Sequence, residues 1–131
     1  EGKLASVLYG IPAIKGVDFG LGFASAHRSG SDTNDAFVLQ NGEVRTASNH
    51  SGGILGGIST GMPLLFHAAF KPTPSISKPQ KSISLSRMEE TELVVQGRHD
   101  PCIVPRAVPV IEAAAAIAIF DAVLMANKNL E

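Results

Sequence analysis

The chain has no tryptophan, one tyrosine and one cysteine, and only 5% of its 131 residues are aromatic. Without aromatic side chains it offers no platform on which bases could stack. It also lacks an excess of charge of either sign. Eleven Lys and Arg against twelve Asp and Glu leave a formal net charge of −1, which argues against a nucleic-acid binder held by phosphate contacts. The one cysteine, Cys102, cannot form an internal disulfide, and this fits a reducing compartment. With one thiol and no HExxH spacing among His27, His50, His67 and His99, a zinc site from this chain alone is not expected. The first residues, EGKLASVLYG, carry no basic-then-apolar leader pattern and no initiator Met. Their apolar residues run helix-like from Leu4, and the chain reads as a piece of a longer protein, forming one domain over residues 1–131.

Long apolar runs are scarce too. The one segment with the length of a membrane span, Val108–Ala126, contains Glu112 and Asp121. Each costs roughly 2.5–3.5 kcal/mol at a helix centre in hydrocarbon. Nine positions at ~100° each put them about 180° apart, so no face is free of charge. The expectation is a helix buried on most sides in a protein that does not enter a membrane.

What the chain does have is glycine, proline and hydroxyls. Leu4–Tyr9 reads as a helix stopped by Gly10 and Pro12, and Ala13–Phe19 as a half-buried strand. Gly20-x-Gly22-x-x-Ser25 approaches a dinucleotide fingerprint. The polar residues after it carry no apolar stripe for a crossover helix, so a glycine-permitted bend is the preferred reading. Ala26–Asp35 reads as a surface loop. Ala36–Leu39 and Glu43–Ser48 form a predicted hairpin around Asn41-Gly42, a pair that tolerates positive φ. Asn49–Gly61 is glycine-rich, but no Lys-Ser/Thr pair follows, so it is not a phosphate-binding P-loop. Its glycines allow close approach of backbone to a flat ligand or to another strand. Leu64–Phe70 reads as a buried strand with a satisfied core histidine, His67. Lys71–Ser75 (KPTPS) is a stiff turn with a cation and two hydroxyls, suited to an anion or to plain exposure. Lys81–Leu85 and Thr91–Gln96 are two further strands.

The densest chemistry lies in Gly97–Pro109, GRHDPCIVPRAVP. Pro101, Pro105 and Pro109 fix φ and push Asp100, Val104 and Val108 towards extended backbone. The expectation is a rigid loop, then a helix from about Pro109 to Asn127. His99 and Cys102 are three apart, but Pro101 restricts the loop, and a thiol nucleophile is set aside. Strands joined by short turns outnumber helices. The fold class is therefore α+β: antiparallel β-sheet packed against helices, with a long Ala-rich C-terminal helix.

Four blocks together, Gly10–Phe23, Ser48–Gly61, Lys71–Ile76 and Gly97–Pro109, resemble the C-terminal portion of chorismate synthase in order and spacing. That family converts 5-enolpyruvylshikimate 3-phosphate to chorismate and phosphate by 1,4-anti-elimination with reduced FMN, in the shikimate pathway to aromatic amino acids. The resemblance implies a lyase of a cytoplasmic homotetramer, a β-α-β sandwich, FMN as cofactor with NADP alongside it, and no metal. It implies flavin contacts at Gly56, Lys71, Pro72, Thr73, Pro74, Ser75 and Arg98, and near Asn41-Gly42. It implies proton transfer with flavin N5 at Asp100 and a substrate-side cation at Arg106. The family's N-terminal blocks, with their acidic histidines and arginine-rich substrate contacts, are not in this sequence, so the chain alone is expected to be inactive. The competing readings are a folded, self-associating piece that binds no flavin and a dinucleotide module built on Gly20–Ser25.

Overall fold

In the computed structural model, residues 1–128 are described. Helix α1, Gly2–Tyr9, buries Leu4 and Leu8, four apart on one face, and Gly10 ends it by donating to Val7 O at 3.1 Å. Strand β1, Ile14–Phe19, follows. Gly22–His27 is a short 3-10 helix, and α2, Gly30–Thr33, is a single turn inside the expected loop. Strands β2, Phe37–Gln40, and β3, Glu43–Thr46, form the expected hairpin, with Asn41 and Gly42 at φ 53° and 83°. Two-residue strands β4, Ile54–Leu55, and β5, Ile58–Ser59, turn through Gly56 and Gly57, again at positive φ.

Strand β6, Phe66–Phe70, pairs antiparallel with β1, not with a neighbour in sequence. This long-range pairing sets Phe19 opposite Phe66, their ring centroids 6.1 Å apart. Strands β7, Gln80–Ser84, and β8, Glu89–Leu93, form a third hairpin. The antiparallel sheet therefore exists as four two-stranded pieces among the described residues. The strand β6 alternates half-buried and exposed residues instead of being buried throughout. His67 falls on its exposed face and is satisfied across the ladder by Asp18, Nδ1 to Oδ1 at 2.7 Å. The bend at Gly20 is also clear. A β1 paired antiparallel with β6 and followed by a 3-10 turn is no crossover unit, and no dinucleotide fold is built on it.

Helix α3, Val104–Lys128, begins five residues earlier than the prolines suggested. Ile103 O accepts the N–H of Ala107, so Pro105 lies in the first turn, where its missing N–H costs nothing. Pro109 is inside the helix, and Val104 and Val108 are helical, not extended. The alanine run and the packed face outweigh the local preference of a residue before proline. Leu4, Ile54, Ala115 and Ala118 form the core, with Phe19, Leu64 and Phe66 against it. Only one side of α3 is packed. Ile117 is 65% and Phe120 63% exposed, so the helix is not buried on most sides. The chain exposes 9856 Å², half as much again as the ~6600 Å² of a compact protein of 13.7 kDa.

Candidate functional site

The glycine-rich segment divides into two parts. Gly20, Gly52 and Gly53 are at crossing backbones: a Cβ on Gly20 would run into His50 O, and one on Gly53 would lie 2.6 Å from Pro63 O. These serve strand-to-strand approach. Gly56 and Gly57 are exposed, at positive φ, with nothing within 4 Å of a Cβ. They leave an open stretch of backbone at the tip of the β4–β5 turn. A cleft of about 320 Å³ runs beside it, lined among others by Leu21, Gly22, Ser25, His50, Ser51 and Gly56.

Asp35 holds this segment in place. It is 7% exposed, and its Oδ1 accepts from Ser48 Oγ at 2.7 Å and from His50 N at 2.8 Å. Its Oδ2 accepts from Ser51 N at 2.8 Å. Burial opposes ionisation, but the Ser48 hydroxyl and the Ser51 and His50 amides outweigh it and hold the carboxyl at about 2. The His50 ring lies over the same carboxylate, Nδ1 3.6 Å from Oδ1, and that nitrogen is buried without a hydrogen-bond partner. Asp35 lies in the segment expected to be a surface loop. The hairpin register could have found it: Phe37 opposite Thr46 puts Asp35 opposite Ser48.

Lys71 N donates to Ala13 O at 2.8 Å, so the KPTPS turn leaves directly from the β1–β6 ladder. Ala13 takes φ 72°, an uncommon conformation for a residue with a Cβ, and one that sequence reasoning did not single out. Lys71, Pro72 and Pro74 are exposed, while Thr73 and Ser75 are half-buried. Thr73 Oγ1 is buried with no partner. Gln80 Nε2 donates to Pro74 O at 3.3 Å and ties the turn to β7.

The Gly97–Ile103 loop presents Arg98 to solvent. His99 Nε2 is 3.2 Å from Val95 O, committed to the backbone and away from the exposed free thiol of Cys102. Asp100 Oδ2 pairs with Arg106 Nη1 at 3.2 Å. Among the described residues no group of three His, Cys, Asp or Glu could hold a metal. The structure thus brings Asp100 and Arg106 together. The cleft beside Gly56 does not take in Lys71, Thr73, Ser75 or Arg98. Asn41-Gly42 sits at the tip of a hairpin exposed along β2.

These features define a class: an α+β piece whose glycine turns and proline-stiffened loops present an unpartnered hydroxyl, cations and a carboxylate, with its apolar faces only partly covered. The family model described as chorismate synthase matches residues 1–124. The chain is 56% identical over 124 residues to the chorismate synthase of Thermococcus gammatolerans, covering 95% of this chain and 35% of the relative. It is 56% identical over 125 residues to that of Archaeoglobus fulgidus, with the same coverage. A solved structure titled "Crystal Structure of Chorismate Synthase" superposes with a TM-score of 0.54 at 43% identity, over 56% of this chain and 22% of that one. The chain belongs to the chorismate synthase family, and it spans about a third of the length of the curated relatives it matches.

Proposed function

We propose that the chain is the C-terminal, FMN-site-bearing portion of a chorismate synthase, a carbon–oxygen lyase of the shikimate pathway. The complete protein would be a cytoplasmic homotetramer that takes 5-enolpyruvylshikimate 3-phosphate and binds neither nucleic acid nor membrane. The family match over residues 1–124 carries this reading. The residues present fit part of a flavin mononucleotide. Thr73 Oγ1, buried and unpartnered, and Lys71 in the same stiff turn are donors for a phosphate or an anionic ring. Gly56 leaves backbone open to a flat group. Pro72 and Pro74 hold that turn rigid, Ser75 adds a second hydroxyl, and Arg98 adds a second cation.

When bound, reduced FMN would supply transient electron donation, while the protein would supply position and field. Lys71 and Arg98 would oppose the flavin phosphate or the anionic reduced ring, and a cationic surround favours departure of phosphate, because negative charge develops on the leaving group. Asp100, the one carboxylate of its loop, would carry the proton. The chain alone holds only one wall of such a site, so it should not turn over substrate at a useful rate. Titration of FMN with the purified chain tests the first half: saturable quenching of flavin fluorescence is expected, and no change up to high protein concentration would overturn it. Phosphate release from the enolpyruvyl substrate with FMN under reducing conditions tests the second, and measurable turnover would refute the inactivity. A second reading, a folded piece that binds no flavin and self-associates, is favoured by the bare face of α3 and by the separation of the Gly56 cleft from Lys71 and Arg98.

A further inference from the structure

We infer that Arg106 is a positioning residue for Asp100, acting through that carboxylate instead of contacting substrate. The inference rests on the reading of Asp100 as the proton-carrying group. Arg106 Nη1 lies 3.2 Å from Asp100 Oδ2, across a loop of five intervening residues. Three features make this contact a reproducible geometry. Pro101 fixes the residue after Asp100, Pro105 fixes the turn that carries Arg106, and Arg106 N itself donates to Ile103 O at 3.0 Å. The arginine therefore sits in the first turn of a 25-residue helix, the most regular element of the chain. A loop carboxylate is thereby tied to the first turn of the helix.

Oδ2 faces the guanidinium, and with 38% of its side chain exposed Asp100 stays open to an external proton. The other charged or titratable groups of the loop are placed elsewhere. His99 is turned to Val95 O, Cys102 is exposed, and Arg98 points to solvent as the cation of the loop left for a ligand anion. An arginine already facing a carboxylate also projects less net charge towards a phosphate than Arg98 does, because the pair is neutral. Arginine suits the task, since its planar donors hold one geometry with a carboxylate where a lysine ammonium would not.

Two measurements test this. In the 131-residue chain, the Arg106 Nε–H NMR signal should shift in Asp100→Asn. An unchanged signal would overturn the pairing. For the reaction, residues 1–124 are grafted into the Thermococcus gammatolerans enzyme in place of the matched segment. Arg106→Gln should then lower kcat about tenfold or more with KM for the phosphorylated substrate unchanged, and Arg106→Lys should restore it in part. A raised KM at unchanged kcat would make Arg106 a substrate contact and sink the inference. A graft that is inactive before any substitution counts against the proposed function, while the NMR result still decides the pair.

Discussion

Asp35 shows how one side chain can order a glycine-rich segment. Its carboxylate receives the hydroxyl of Ser48 and the amides of His50 and Ser51, so three donors that would otherwise need water are satisfied at once. The carboxyl titrates at about 2 in the fold against an ordinary 3.8. Because its folded value is depressed, the stabilisation is complete above the unfolded value and is lost as pH falls through the folded one. The difference corresponds to about 2–3 kcal/mol. Asp35→Asn should therefore lower unfolding free energy by about that amount at pH 7. The gap to the unsubstituted chain should close as pH falls from about 5 towards 2. Urea unfolding at pH 7 and at pH 2.5 checks this, and an equal gap at both would remove the carboxylate from the account. The Asp100–Arg106 pair differs in kind. With side chains 38% and 77% exposed it adds ~0–1 kcal/mol at most. Its significance lies in geometry, not in stability.

At the scale of the element, α3 is the instructive case. Ala114, Ala115 and Ala118 are 6–9% exposed and face the core. Ile117, Phe120 and Leu124 are turned roughly 110–170° away from them at ~100° per residue and are 46–65% exposed. The helix is long and apolar enough to cross a membrane by length and composition alone. Lys3, from α1, pairs with its Asp121 at 3.6 Å. The two sides should respond differently to substitution. Ala118→Leu overfills a packed position and should cost ~1–3 kcal/mol. Ile117→Lys alters a side chain that is 65% exposed and should change stability by no more than ~0.5 kcal/mol. Paired thermal melts of the two variants distinguish them, and a large loss at Ile117 would mean that its face is covered in solution.

For the molecule as a whole, surface is the dominant fact. The excess over a compact chain of this mass is about 3,000 Å², the range buried in obligate interfaces. A chain spanning about a third of its relatives' length is expected to leave such faces uncovered. The isolated chain should bind an apolar dye such as ANS and unfold over a broad temperature range. A sharp transition with no dye binding would show that these faces are already covered, by self-association or by a tighter packing. The same argument supports the expected lack of turnover, because one wall of a site cannot exclude water from it.

The local elements were legible in the residues themselves. Asn41-Gly42 specified its hairpin, the glycines marked the backbone crossings, and the four blocks carried the family. These are short-range or pattern properties, written in φ preference and in the order of motifs. The tertiary structure decided what depends on distant partners. It paired β1 with β6 across some 50 residues of sequence. It buried Asp35 out of an apparently polar loop. It drew Val104 and Val108 into a helix against the preference of residues before proline. It set Arg106 against Asp100. Each outcome is a balance of packing and hydrogen bonding between segments that no local reading brings together, since the free energy of burial belongs to the pair of surfaces and not to either sequence alone.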